Sequence, residues 1–153
     1  MESEKEGRKC DALLAIGPRV GKYENSHYGV LHASPPCMKQ PPELVGRAYR
    51  FSLAALRFYR KLPKSPDAQV PGVQLLKAAT SAWSNYRASQ RGRSRAEFIA
   101  KLGTAVEESD EAVGWLEFMR DGHIGSDEAL LAEAKEICAM LTASLTNARH
   151  NSM

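Results

Sequence analysis

Apolar residues recur with a helical period from residue 43 onwards and define four amphipathic segments. The segments run from about Leu44 to Leu62, Val70 to Gln90, Ser94 to Arg120 and Ser126 to Asn147. The links between them are short, near 63–69, 91–93 and 121–125, and the middle link is the tightest. Short links favour antiparallel neighbours. The pattern therefore predicts an all-α protein, with an antiparallel up-down-up-down four-helix bundle over residues 43–153.

Each segment has one apolar face, and these faces predict the core. The first two segments contribute Leu44, Ala48, Phe51, Ala55, Phe58, Tyr59, Leu62, Leu75, Leu76, Ala79, Ala82, Trp83 and Tyr86. The last two contribute Phe98, Ile99, Leu102, Ala105, Val106, Ala112, Val113, Leu116, Leu130, Ala134, Ile137, Cys138, Leu141 and Leu145. Small residues beside the second stripe (Ala78, Ser81, Asn85, Ser89) widen the surface that can be buried.

Local residues indicate how some segments begin and end. Ser94 and Glu97 fit a capping box, in which the serine accepts from the amide of Glu97 and the glutamate reaches back to the cap. Pro71 suits the first turn of the second helix. Gly122 and Gly125 predict the end of the third helix.

Residues 1–42 show no sustained periodicity, and the pairs Pro35-Pro36 and Pro41-Pro42 interrupt any helix. We expect a disordered or irregular N-terminal extension. A translated upstream region, with the true start at Met38, is the alternative. No apolar run reaches the roughly 18 residues of a membrane span, and no secretion signal is expected. The three cysteines have no disulfide spacing, so a cytoplasmic location is expected.

Charge is distributed unevenly along the predicted bundle. Residues 44–101 carry 12 Lys or Arg against two acids, a net charge of +10, whereas residues 102–153 carry three against ten, a net charge of −7. Such asymmetry indicates either a polyanionic partner or pairing between complementary surfaces.

Several ordered patches of the sequence resemble one bacterial family. The patches are Arg47-Ala48-Tyr49, Leu62-Pro63, the run from Gln74 to Ser81, Asn85, the run from Arg93 to Leu102, the run from Glu108 to Glu111, and Trp115-Leu116. The chain resembles, over about residues 45–147, the four-helix-bundle proteins encoded by intervening sequences of 23S ribosomal RNA genes. It departs from their pattern at Tyr86-Arg87, which makes that region more basic.

The resemblance implies a left-handed bundle that assembles into a ring-shaped homopentamer with a basic surface. The family includes accessory proteins of diversity-generating retroelements, which bind a reverse transcriptase and nucleic acid. For most members no activity is known.

The basic residues offer a candidate nucleic-acid-binding surface, because arginine neutralises phosphate. The candidate residues are Arg47, Arg50, Arg57, Arg87, Arg91, Arg93 and Arg95. Tyr86 is near enough to stack on a base, although its position favours burial. The alternative is a solvated helix face, partly paired with acids of the third helix.

Trp115, Phe118 and Met119 lie away from the core stripe of the third segment. They predict an oligomer interface, the alternative being burial through curvature of the helix.

No constellation of residues predicts catalysis, a cofactor or a metal site. The four histidines occur without a Glu-x-x-His pair, and no phosphate-binding glycine loop is present. Cys138 is predicted to be an inert core thiol, and Asn85 to form an interhelical hydrogen bond. The sequence thus favours a non-enzymatic oligomeric adaptor that binds RNA or DNA. The alternative is a protein-interaction scaffold, for example a partner of a reverse transcriptase, without nucleic-acid binding of its own.

Overall fold

The computed structural model of the protein describes residues 42–150. They form four α-helices, α1 (Pro42–Lys61), α2 (Pro66–Ser89), α3 (Arg95–Asp121) and α4 (Glu128–His150), with no strand among the described residues. The all-α four-helix prediction is confirmed. The predicted extension lies outside the described residues, except for its last residue, Pro42, which opens α1.

The beginnings of α3 and α4 are fixed by side-chain caps. The Ser94 hydroxyl accepts a hydrogen bond from the amide of Glu97 at 3.1 Å, as predicted. The Glu97 carboxylate accepts from the amide of Arg93 at 2.9 Å, one residue earlier than a capping box requires, and this bond lowers the pKa of Glu97. Asp127 caps α4 by accepting from the amide of Leu130 at 2.9 Å, so α4 begins later than predicted.

Helix α2 begins at Pro66, four residues before the predicted start. A proline in the first position removes an amide that would have no helical partner, so Pro66 is compatible with this start. Pro71 was wrongly placed in the first turn, since it is the sixth residue of α2 and is buried. The link between α1 and α2 thereby shrinks to residues 62–65 and is shorter than the middle link at 90–94.

Helix α3 ends in a Schellman arrangement centred on His123. The amide of Ile124 donates to the carbonyl of Met119 at 2.9 Å, and the amide of His123 donates to that of Arg120 at 3.1 Å. His123 has φ 54°, the left-handed conformation that such an ending requires. The sequence attributed this ending to Gly122 and Gly125, and Gly122 is indeed the C-cap of α3, although its φ of −77° is ordinary and the left-handed residue is His123.

Hydrogen bonds and ion pairs between helices show which parts lie together. The Ser52 hydroxyl donates to the carbonyl of Ala79 at 2.8 Å, and the Tyr59 hydroxyl donates to Gln69 at 3.0 Å, so later residues of α1 meet earlier residues of α2. Lys135 of α4 pairs with Glu117 of α3 at 2.7 Å. Near the other ends of these two helices, Arg95 bonds the carbonyl of Ala148.

Gly72 of α2 is buried against the side chains of Tyr59 and Leu62. A Cβ atom there would lie 2.6 Å from Cδ1 of Leu62 and 2.9 Å from Cδ2 of Tyr59. Only glycine fits this seam without movement of its neighbours.

Core residues recur at alternating spacings of three and four in α1, from Leu44 through Ala48, Phe51, Ala55 and Phe58 to Leu62. The same spacing places Ser109 and Met119 of α3 in the core, at 2% and 0% exposure. Seven predicted core residues are only half-buried: Tyr59, Leu76, Trp83, Ile99, Val106, Val113 and Cys138. Asn85 donates to the carbonyl of Ser81 within its own helix, so the predicted interhelical bond is wrong.

Candidate nucleic-acid interface

Arg47 of α1 is engaged by two carboxylates of α4. Its guanidinium donates to both carboxylate oxygens of Glu133 at 2.7 Å, and also to Glu136. These hydrogen bonds raise the pKa of Arg47, and the bond between Arg47 and Glu133 also lowers the pKa of Glu133. The two glutamates lie three residues apart on one face of α4, and no sequence pattern connected them with α1. Arg47 therefore belongs to the α1–α4 seam and is not a free cation for phosphate.

Arg50 and Arg57 are exposed on α1. Within residues 42–150, no carboxylate lies in ion-pair range of either guanidinium. Arg50 still contributes to lowering the pKa of Glu133, so its charge acts on the same side of the bundle as the Arg47 cluster. Both residues remain candidates for binding an external anion.

The four arginines at the end of α2 and in the following turn differ in exposure and in their partners. Arg87 and Arg91 are exposed, and the described residues place no carboxylate within ion-pair range of them. Arg93 lies 3.6 Å from Glu97, in a solvent-exposed pair of little energetic weight. Arg95 is half-buried and its guanidinium donates to the carbonyl of Ala148. Arg95 therefore joins the beginning of α3 to the end of α4.

We call Arg50, Arg57, Arg87 and Arg91 the cationic surface. The contact between Ser52 and Ala79 sets Arg57 level with about residue 74 of α2, thirteen residues before Arg87. At 1.5 Å per residue, this surface extends over roughly 20 Å of the bundle. It is a spread of separate charges and offers no single pocket for one phosphate.

An aromatic pair lies between α1 and α2, next to Arg87. The rings of Tyr49 on α1 and Trp83 on α2 have centroids 5.2 Å apart and are tilted by 48°. The guanidinium carbon of Arg87 lies 5.7 Å from the centroid of Trp83, one helical turn along α2. Tyr49 is 41% exposed, and Trp83 is half-buried. We call these three residues the aromatic–arginine patch.

From the sequence, Tyr86 was near enough to stack on a base but was expected to be buried, and its burial is confirmed. Tyr86 is 0% exposed, so its ring is not available to a base. Burial raises the pKa of its hydroxyl to about 12, and that hydroxyl has no hydrogen-bond partner within the described part of the chain. Tyr49 was missed because it was noted only as part of a family motif, although it lies on the arc of α1 that faces away from the apolar stripe.

The residues predicted for an oligomer interface separate into exposed and buried members. Phe118 is 56% exposed and meets Trp115 edge to face, with centroids 5.8 Å apart. Trp115 is half-buried and donates from its indole nitrogen to Glu111 at 2.9 Å. Met119 is fully buried, so its placement on an external interface was wrong. Its spacing of three from Leu116 continues the core stripe.

A shallow groove between α3 and α4 contains Cys138. Cys138 was predicted to be a core thiol but is half-buried and lines the groove with Asp110, Val113, Lys135 and Thr142. Within residues 42–150, no three His, Cys, Asp or Glu residues come together in a metal-binding cluster. None of the helices in this range is both long and apolar enough to cross a membrane.

These features define a class of helical bundle protein whose exposed face carries unpaired arginines and an aromatic pair. The chain belongs to the 23S rRNA-intervening sequence protein family, whose model matches residues 43–143. It is also similar to a crystal structure of a protein with unknown function from the S23 ribosomal protein family of Bacteroides thetaiotaomicron. That similarity has 25% identity and a TM-score of 0.63, and covers 68% of this chain and 96% of the other. No curated protein matches the chain significantly.

Proposed function

We propose that this protein is a non-enzymatic, oligomeric adaptor that binds RNA or DNA through the cationic surface. The observation that supports this most is the exposure of Arg50, Arg57, Arg87 and Arg91, which no carboxylate of residues 42–150 neutralises. Phosphates that contact such arginines release condensed counterions, and this release drives association. The spread over roughly 20 Å suits several phosphates of one strand or duplex.

The test is nucleic-acid binding by the full chain, followed by fluorescence anisotropy across a salt series. The double variant Arg87→Ala/Arg91→Ala should bind more weakly than the wild type. Its plot of log affinity against log salt should flatten by about 0.7 to 0.9 for each phosphate that the variant no longer neutralises. These two residues are exposed, so the fold should remain intact, which circular dichroism checks.

A matched control removes the same charge elsewhere. Arg120 and Lys135 already pair with Asp121 and Glu117, at 2.8 and 2.7 Å. The variant Arg120→Ala/Lys135→Ala therefore has the same net charge as the test variant but keeps the cationic surface. Equal weakening in both variants would mean that only net charge matters, and the assignment to this surface would be wrong.

Self-association is proposed from the exposed aromatic pair on α3. A monomer gains nothing from exposing Phe118 beside Trp115, whereas a second subunit would cover both rings. The family resemblance implies a homopentamer, and the cysteine spacing implies a cytoplasmic location. Phe118→Asp should reduce the particle mass measured by light scattering. A wild-type mass equal to one chain at micromolar concentration would exclude the oligomer.

A protein-interaction scaffold is the second candidate, and the same aromatic pair favours it. Glu111 of α3 accepts the indole hydrogen bond of Trp115, and Glu107 lies one turn before Glu111 and is exposed, so the surface combines rings with negative charge. Such a surface suits the basic half of another subunit or a basic protein partner, of which a reverse transcriptase is one example. The scaffold is supported if no nucleic acid binds at low salt and if the oligomer dissociates at high salt.

A further inference from the structure

The aromatic–arginine patch has the parts of a site for a nucleobase and its phosphate. Tyr49 is 41% exposed, and the guanidinium carbon of Arg87 lies 5.7 Å from the ring centre of Trp83. Every base has a π-face that can lie on an aromatic ring, whatever its sequence. The guanidinium beside the rings can at the same time neutralise the phosphate attached to that base.

The electrostatic surroundings of the patch favour an anion. Arg87 lies against the Trp83 ring, and the described residues place no carboxylate in ion-pair range of its guanidinium. The acids of α1 and α2 are Glu43 and Asp67. Asp67 precedes Trp83 by sixteen residues, which is about 24 Å of helix. A base that stacks on Tyr49 therefore lies beside the Arg87 cation, which has no carboxylate of residues 42–150 in ion-pair range.

Stacking on Tyr49 requires a base with a free face. In a duplex, each base is already stacked between its neighbours, and its removal costs a few kcal/mol. An unpaired strand offers its bases without that cost. Resting on the proposed function, we infer that the aromatic–arginine patch is a stacking site for an unpaired base, and that single-stranded nucleic acid is the ligand class of this surface.

The test uses the tryptophan of the patch as a reporter. The chain has two tryptophans, so Trp115→Phe leaves Trp83 as the single indole in the full-length protein. This protein is titrated with a single-stranded oligothymidylate, an oligouridylate and a duplex of equal length. The single strands should change the emission of Trp83 and bind more tightly than the duplex.

Paired substitutions at Tyr49 separate the ring from the hydroxyl group. Tyr49→Ala should weaken single-strand binding about 5- to 150-fold and leave duplex binding unchanged, because stacking contributes that much per base. Tyr49→Phe keeps the ring and should bind as the wild type does. The emission of Trp83 in the protein with native Tyr49 gives an answer even if the alanine variant is unstable.

The outcomes distinguish this inference from the proposed function. Binding that depends on Arg91 but not on Tyr49, or an equal loss of single-strand and duplex binding in Tyr49→Ala, would overturn the stacking site and leave the cationic surface in place. An unchanged Trp83 emission at saturation would overturn it as well. If no oligonucleotide binds at low salt, the proposed function and this inference are both wrong.

Discussion

The close approach of α1 and α2 at Gly72 leads to a quantitative prediction about stability. In Gly72→Ala, the new Cβ would lie 2.6 Å from Cδ1 of Leu62 and 2.9 Å from Cδ2 of Tyr59, where ordinary contacts are 3.4–4 Å. Leu62 would have to move by about 1 Å within a packed core. Its neighbour Tyr59 is held by a hydrogen bond to Gln69 at 3.0 Å, so the seam can relax only in part.

Two opposing effects set the size of the change. Overpacking of this kind typically costs about 1–3 kcal/mol. Replacement of a helical glycine by alanine contributes about 1 kcal/mol in the other direction. Gly72→Ala should therefore lower the free energy of unfolding by up to about 2 kcal/mol, the difference of these two values.

Gly103 in α3 provides the matched control. A Cβ there meets nothing within 4 Å, so Gly103→Ala should gain about 1 kcal/mol from helix propensity alone. The difference between the two variants isolates the steric cost, at about 1–3 kcal/mol. Urea denaturation followed by circular dichroism, at one protein concentration, measures both. Equal stabilisation by the two alanines would refute the close packing of α1 on α2.

Three further predictions concern single side chains. Met119→Ala should lower the free energy of unfolding by about 2–5 kcal/mol, whereas Phe118→Ala in dilute protein should change it by less than about 0.5 kcal/mol. Equal losses for the two variants in urea denaturation would contradict the buried position of Met119. Burial raises the pKa of the Tyr86 hydroxyl to about 12, whereas the pKa of an unfolded tyrosine is about 10. The free energy of unfolding should therefore be constant below about pH 10 and fall as the pH rises towards 12. Tyr86→Phe should gain about 1 kcal/mol at neutral pH and flatten that alkaline fall, and an unchanged pH profile in chemical denaturation would count against it. His123→Gly should raise the thermal midpoint, because it relieves about 1 kcal/mol of left-handed backbone strain; a lower midpoint would show that the imidazole stabilises the turn.

The sequence was sufficient to predict the helices because each carries a continuous apolar stripe. It was less informative about positions at the edges of the stripes. Met119 was placed outside the core because the stripe of α3 was followed only to Leu116. The alternating spacings of three and four that run through Ser109 and Leu116 would have included it. Ser109 itself was missed because a hydroxyl is not counted as apolar, although it bonds the carbonyl of Val106 within the helix.

The candidate site could be predicted only in part, since helical periodicity says nothing about which helices face each other. Arg47 and Glu133 are 86 residues apart in sequence, and no local pattern connects them. The pairing of Tyr49 with Trp83 likewise depends on the register between α1 and α2. The charge pattern showed that arginines are concentrated in the first half of the bundle, but not that Arg47 and Arg95 contact α4.

The Arg47 cluster also bears on the order in which the bundle opens. Helix α1 packs on α4 over a smaller surface than on α2, and the α2–α3 pair is the most extensive. The ion pairs of Arg47 with Glu133 and Glu136 therefore join two helices whose packing on each other is limited. The hydrogen bond from Arg47 lowers the pKa of Glu133, so acid that protonates Glu133, or salt that screens the ion pairs, should weaken this edge first. Amide hydrogens of α1 should then exchange with solvent through partial opening of the bundle, whereas those of α2 and α3 should exchange only through global unfolding.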